Sequence, residues 1–397
     1  MCSKSFFTRL FVSLAYLVLA GVIIAGLTIA IGRIMLFRAR TRRVPACLCY
    51  VAGRSGGHLI PAMTLAQRER EEHENARTLV FTAATQLDLF LMKRYPWVHE
   101  HEALDLENRP RGLTPRWLPY LMRFFWVTAR SFAMLWQYAP LRVTTTGGYI
   151  AIPVCLAAWL LGVPVYLYNL DVEPGAAIGL LSRLATRVII CFTETRALLP
   201  PSAPVEIGSY PLRYEESARM SRAAARDKLG LSKLAADAKV LLVIGGSQGS
   251  QSINDLLPAS VASWVRGHAL REKSLREKSL REKSLLVLHQ TGGGDSEVER
   301  VRAMYDKNGV SARVFSYSDE MELLYQAADL AISRAGAGSL FELTFFRVPA
   351  IIIPLETVTT AHQRRNASAI AQEHPALFSV YLQDGGGDFA ALLGSRL

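Results

Sequence analysis

The chain of 397 residues is short of the features that define several protein classes. Its five cysteines (Cys2, Cys47, Cys49, Cys155 and Cys191) form no paired framework. Cys47 and Cys49 are two apart in an apolar run and face the same way along a strand, which reads as reduced core thiols. No zinc-finger spacing and no aromatic RNA-recognition motif is present, so nucleic acid is not an expected partner. No cluster of His, Cys, Asp and Glu has metal-ligand spacing, and neither a metal nor a cofactor is expected. No Gly-Lys-Ser/Thr follows a glycine-rich turn, which excludes a P-loop, and no full dinucleotide fingerprint occurs. Acidic residues are also in deficit: 34 Asp and Glu stand against 45 Lys and Arg, a net charge of +11. That balance favours anionic partners, here phosphorylated small molecules and acidic lipid. Half of the residues are hydrophobic and a fifth charged, which excludes a disordered chain.

The longest uncharged run, Leu10 to Gly32, has 23 residues. As a helix it is about 35 Å long, enough to span the hydrocarbon layer. Lys4 and Arg9 precede it, and Arg33, Arg38, Arg40, Arg42 and Arg43 follow. The heavier positive flank predicts a single N-terminal membrane pass with the later domains cytoplasmic. A cleaved signal peptide is the competing reading, but arginines rather than a small-residue cleavage site follow the run.

Short apolar runs then alternate with helical patterns. The first series is Ala46–Val51, Thr78–Thr82, Arg142–Thr146, Val163–Tyr168 and Val188–Phe192. The second is Val240–Ile244, Leu285–Gln290, Ala312–Ser316, Leu330–Ser333 and Ala350–Pro354. Such alternation predicts α/β folding with parallel sheets. A proline-rich break near Leu199 to Pro204 divides the series. The expected architecture is two Rossmann-like domains facing a cleft: residues 1–43 as anchor and basic flank, 44–212 as the first domain and 213–397 as the second. Ligands of such sheets bind at the carboxyl ends of strands.

Two segments stand apart. Leu-Arg-Glu-Lys-Ser repeats three times over 270–284. Five residues advance a helix about 140° beyond a full turn, so the leucines make no apolar face. This predicts a solvated insertion extending a helix before Leu285. Between Trp117 and Trp136, Arg116, Arg123 and Arg130 lie seven apart and share one face. The segment fits either a helix on acidic lipid or a core helix with one exposed stripe, and Pro119 predicts a break near its start.

Three glycine-rich turns each join a strand to a helix: Gly53-Arg54-Ser55-Gly56-Gly57-His58, Gly147-Gly148-Tyr149 and Gly245 to Ser250. One such turn is often mere tight packing. Three point to diphosphate binding, because backbone amides and a helix N-terminus both favour an anion. His58 would place a proton acceptor beside the phosphate. A fourth stretch, Ser333 to Glu342, leads small residues into a helix. Its glutamate fits a ribose diol or an ordinary complement to the helix dipole. His362-Gln363-Arg364-Arg365-Asn366 offers amides for sugar hydroxyls, or a solvated helix start.

In order and spacing these five motifs resemble the MurG family, the UDP-GlcNAc transferases that complete lipid II in peptidoglycan synthesis. The likeness runs from about Ala46 to Asp384. It implies a GT-B fold and an inverting transfer of GlcNAc to the MurNAc 4-hydroxyl of lipid I. By resemblance Gly53, Ser55, Gly56, Gly57, Gly147, Gly148, Tyr149 and Asp171 bind the lipid-linked acceptor, and His58 is the candidate base. Arg213, Gly246, Ser247, Gln248, Gly249, Ser318, Met321, Ala337, Gly338, Ser339, Glu342, His362, Gln363 and Asn366 would bind UDP-GlcNAc. Within that set Glu342 holds ribose, Tyr317 to Met321 flank uracil and Gln363 reads GlcNAc.

The chain departs from the family pattern at Arg54, where glycine is usual, and at Tyr168-Asn169-Leu170-Asp171, where His-Glu-Gln-Asn is usual. It also ends soon after Gly385-Gly386-Gly387, with less C-terminal support than the family has. Two alternatives remain at this level: a GlcNAc transferase acting on another polyprenyl-diphosphate sugar, and a membrane-bound scaffold that only binds a nucleotide sugar.

Overall fold

In the computed structural model of the chain, residues 26, 30, 32, 33, 46–53, 56–73, 76–110, 112, 114–235, 237–246, 249–271, 285–355, 362–383 and 388–397 are described. Most of the 10–32 run lies outside them. Among the described residues no helix is long and apolar enough to cross a membrane.

Strand β1 (Cys47–Val51) is buried at every position. Both of its faces are covered, which is why its sequence is apolar without alternation. It lies in the middle of a seven-stranded sheet with β2 (Arg77–Ala83), β3 (Glu100–Leu104), β4 (Val143–Thr145), β5 (Val165–Asn169), β6 (Arg187–Ile190) and β7 (Val205–Ile207). The order is β3-β2-β1-β4-β5-β6-β7. Helical crossovers are α1 (Gly56–Glu72), α2 (Gln86–Met92), α3 (Trp117–Tyr138), α4 (Ala151–Leu160) and α5 (Ala176–Leu181). Leu48, Tyr50, Leu59, Met63, Val80 and Met92 form a core between the sheet and α1. The one polar tip in it is satisfied: the Tyr50 hydroxyl donates to Glu69, which also pairs with Arg142 at 2.6 Å.

The second sheet repeats this plan. Its strands are β8 (Lys239–Ile244), β9 (Leu285–Gln290), β10 (Ala312–Phe315), β11 (Leu330–Ser333), β12 (Ala350–Ile352) and β13 (Phe378–Val380), in the order β10-β9-β8-β11-β12-β13. The helices of this half are α6 (Arg222–Lys228), α7 (Gln251–Arg271), α8 (Asp295–Lys307), α9 (Met321–Ala327), α10 (Ala337–Phe346), α11 (His362–Glu373) and α12 (Phe389–Arg396). Val243, Ile253, Leu257, Val287, Val301, Ile332 and Leu393 are part of its core. Every strand pair with a described register, in either sheet, is parallel.

The chain divides into two compact units. The first holds 1–169, 175–189 and 199–206. The second holds 170–174, 190–198 and 207–397. The segments 170–174, 190–198 and 207–212, read from sequence as first-domain, therefore pack with the second unit.

Two details of α3 differ from the sequence reading. Pro119 does not break α3; it is the third residue of the helix, in the first turn, where an amide has no intrahelical acceptor to lose. The apolar side of α3 is not simply core, since only Val127, Ser131, Met134 and Leu135 are buried. The repeat begins inside α7, and residues 272–284 lie outside the described set.

Candidate active site

In each sheet the strand order reverses between the first strand and its neighbour on the other side, β1 beside β4 and β8 beside β11. Chains leaving the carboxyl ends of such a pair diverge and leave a crevice for ligand. All four small-residue turns lie at these two switch points.

In the first unit the turn after β4 is stitched onto the loop after β1. The Thr145 hydroxyl donates to Val51 O at 2.7 Å and accepts from Gly147 N at 3.0 Å. The Thr146 hydroxyl donates to His58 O at 2.8 Å. Gly147 and Gly148 have φ of 109° and 92°. A Cβ on Gly148 would stand 3.3 Å from Gly53 O, and one on Gly147 3.7 Å from His58 Cε1. The Gly148 main chain thus lies close against that of Gly53, and the positive φ of both Gly147 and Gly148 favours glycine. Gly56, Gly57 and His58 are the first three residues of α1, whose free amides and dipole suit an anion. His58 is half-buried beside them. The structure therefore gathers Gly53, Gly56, Gly57, His58, Gly147 and Gly148; Tyr149 directly follows. Ser55, like Arg54, lies outside the described residues.

Asp171 does not join this group. It belongs to the second unit, where its Oδ1 accepts from Asn366 Nδ2 at 2.7 Å. Asn366 Oδ1 accepts from Val172 N at 2.8 Å, and Nδ2 also donates to Ala335 O at 3.1 Å. A buried amide must find partners, and this one finds them within the protein. It forms a clip between the 171–172 segment and the loop after β11.

The donor-side turn follows β8. Gly249 N donates to Gly246 O at 3.0 Å. Gly249 has φ 75°, and a Cβ there would fall 2.0 Å from Thr291 O. Ser247 and Gln248, between these glycines, lie outside the described residues. After β11 the chain enters α10 at Ala337, Gly338 and Ser339 with no side chain capping it, so its first turn can receive an anion.

Sequence reading missed the residue that joins these two turns. Arg334 is 5% exposed. Its Nε and Nη2 donate to Ser250 Oγ at 2.9 and 2.6 Å, and Nη2 also donates to Ser252 Oγ. Nη1 donates to Ile353 O, Pro354 O and Gln383 Oε1 at 3.0, 3.2 and 3.3 Å. Burial pulls its pKa down to about 10. A second buried network lies beneath the loop. Asn254 Nδ2 donates to Glu297 Oε1 at 2.6 Å and to Thr291 O at 3.2 Å. Asn254 Oδ1 lies 3.0 Å from His289 Nε2, and His289 Nδ1 lies 3.0 Å from the Tyr305 hydroxyl. The Asn254 acceptor assigns the proton to Nε2. Burial drives His289 down to about 3, so it is neutral.

Glu342 sits in the second turn of α10. It accepts from Arg213 Nε at 3.1 Å and from the Tyr325 hydroxyl at 2.7 Å. Burial raises its pKa while Arg213 and Tyr325 pull it back. The carboxylate is thereby fixed in direction and keeps lone pairs for a diol. Met321 opens α9, the helix that carries Tyr325, and Ser318 Oγ accepts from Glu320 N at 3.1 Å in the loop before it. His362 and Gln363 open α11, and Gln363 Oε1 accepts from Leu355 N at 3.0 Å.

Comparison with known proteins agrees with this layout. Residues 49–190 match the glycosyltransferase family 28 N-terminal domain, and 240–382 the family 28 C-terminal domain. A Myxococcus xanthus protein named UDP-N-acetylglucosamine--N-acetylmuramyl-(pentapeptide) pyrophosphoryl-undecaprenol N-acetylglucosamine transferase is 30% identical over 82% of this chain and 78% of its own length. A Desulforudis audaxviator protein of the same name is 29% identical over 82% of this chain and 83% of its own. The crystal structure of Acinetobacter baumannii MurG superposes with a TM-score of 0.64 at 23% identity, covering 88% of this chain and 89% of that one. The chain belongs to the MurG family of family 28 glycosyltransferases.

Proposed function

We propose that this chain transfers GlcNAc from UDP-GlcNAc to the 4-hydroxyl of the MurNAc of lipid I, forming lipid II. The observation that carries the reading is the set of glycine turns at the two switch points, with Thr146 bonded to His58 O in the first unit and Glu342 oriented by Arg213 in the second. The first unit supplies the acceptor half and the second unit the donor half. The amides of Gly56 and Gly57, with the Gly147–Gly148 main chain, receive the acceptor diphosphate. His58 takes the proton of the attacking hydroxyl. On the donor side, the loop from Gly246 to Gly249 and the first turn of α10 receive the UDP diphosphate. Their amides and dipole stabilise the charge that develops on UDP as the anomeric bond breaks. Glu342 accepts from the ribose hydroxyls, the 318–321 loop flanks uracil, and His362 and Gln363 read GlcNAc.

Work at a lipid-linked acceptor places the chain on a membrane. The support is α3, where Leu118, Leu121, Met122, Phe125 and Trp126 are between 52% and 75% exposed. A contiguous apolar face of that kind fits lipid. Arg116 flanks it, while Arg123 and Arg130 pair with Asp105, Glu107 and Glu102. Anionic lipid at the cytoplasmic face of the inner membrane is the proposed surface, with the 10–32 segment as anchor.

Steady-state kinetics test the two halves separately. His58→Ala is expected to lower kcat by roughly 10²–10⁴-fold with little change in KM for UDP-GlcNAc. Glu342→Gln is expected to raise that KM by roughly tenfold. Full turnover by His58→Ala would remove the base assignment.

A further inference from the structure

At the amino ends of β11 and β12, on the edge of the second sheet opposite its glycine turns, the surface closes into a cavity of about 210 Å³. Three arginines, Arg219, Arg222 and Arg347, line it together with Tyr325, Phe345 and Phe346. Two of the arginines are held in place. Arg219 lies 4.5 Å over the Phe345 ring, donates to Phe345 O at 2.7 Å and pairs with Glu216 at 3.1 Å. Arg222 pairs with Asp329 at 2.8 Å. That carboxylate is already shared with Arg226 at 2.6 Å and with Val240 N at 2.7 Å.

The third arginine is unlike the others. Arg347 is exposed and has no carboxylate partner among the described residues. It closes the C-terminus of α10 with φ 54° and ψ 41°. Glycine is the usual residue in that conformation, and a residue with a Cβ is strained there. Strain retained at a surface position points to a use for the side chain. The three lining arginines have two carboxylate partners, Glu216 and Asp329, and Asp329 is shared with Arg226 outside the lining, so the cavity keeps an excess of positive charge. Guanidinium forks over aromatic rings suit a phosphate carried on an apolar or aromatic group.

We infer that this cavity is a second anion site that binds a phosphate monoester and is coupled to the donor site. Tyr325 forms its floor and, through its hydroxyl, orients Glu342. A ligand pressing on the ring shifts the carboxylate. The coupling rests on the reading of Glu342 as the ribose partner; the binding site itself does not.

The test is calorimetric titration of phenyl phosphate into the full chain saturated with UDP, so that the donor turns are filled. One equivalent is expected to bind, and Arg347→Gly, which relieves the backbone strain and so folds, is expected to weaken it at least tenfold. Arg222→Ala is expected to do the same. A parallel arm uses vesicles with and without phosphatidic acid. Binding to the soluble ester identifies a free phosphate ligand, and Arg347-dependent binding to phosphatidic acid alone identifies a lipid headgroup. Uridine affinity, measured with and without phenyl phosphate, is expected to change several-fold in the native chain and not in Arg347→Gly. No binding in either arm, or binding indifferent to Arg347, overturns the site. Binding with no effect on uridine overturns only the coupling.

Discussion

Asn366 donates to Asp171 at 2.7 Å across 195 positions of sequence, and both residues belong to the second unit. Sequence reading had assigned one to the donor and the other to the acceptor. Asn366→Ala would leave Val172 N and Ala335 O without their buried partner. Each orphaned group costs about 1–3 kcal/mol, so a loss of roughly 2–6 kcal/mol is expected in denaturant unfolding. A variant of native stability would contradict the clip.

Arg334 should act on nucleotide binding rather than on the acceptor. Arg334→Met removes the donors that hold Ser250 and Ser252 and a buried positive charge beside the diphosphate turns. UDP affinity is expected to fall roughly 30-fold, about 2 kcal/mol, by calorimetry. KM for lipid I should stay within about twofold.

The two donor-loop glycines make a matched pair. Gly249→Ala sets a methyl 2.0 Å from Thr291 O, whereas the space around a Cβ on Gly246 is open although φ is 88°. Gly246→Ala is therefore expected to cost about 1–2 kcal/mol of backbone strain. Gly249→Ala adds a clash with main chain and should give a markedly lower melting temperature than Gly246→Ala. Equal melting temperatures would refute this loop geometry.

Acid should weaken the second unit through His289. Its folded pKa of about 3 lies below the unfolded value near 6.5. The unfolded state therefore binds more protons between those values, and the contribution present above pH 6.5 is lost as pH falls towards 3. Between pH 7 and pH 5 the expected loss is about 2 kcal/mol. Glu297, lowered to about 2 chiefly by its hydrogen bond from Arg300, adds a further loss only below the ordinary carboxylate range. Urea unfolding of His289→Gln should show a flatter slope over pH 7 to 5.

The interior strands were legible because continuous apolar runs have few other uses. The strands that were missed, β3, β7 and β13, are all sheet edges. β3 reads Glu-His-Glu-Ala-Leu, a sequence that an edge tolerates and a central strand does not. The glycine turns were legible for a related reason. Close main-chain approach, as at Gly148 and Gly53, demands glycine whatever surrounds it. Arg334 and Asn366 were not legible in their real roles. Their partners lie at Ser250, Ile353 and Gln383, and at Asp171 and Val172. A polar residue in a motif looks the same whether it faces ligand or protein.

On the first unit, Phe125→Ser with Trp126→Ser should reduce co-sedimentation with anionic vesicles several-fold. Turnover on a short-chain, water-soluble lipid I analogue should be unchanged, since both side chains are more than 70% exposed and contribute little to the core. Unchanged sedimentation would remove α3 as the lipid-facing element.

The most direct measurement is transfer of labelled GlcNAc by the full chain, offered UDP-GlcNAc with lipid I or with GlcNAc-diphosphate-lipid. The predicted result is label in lipid II and none in the second product. Transfer only to GlcNAc-diphosphate-lipid, or UDP-GlcNAc binding without transfer to either lipid, would contradict the account.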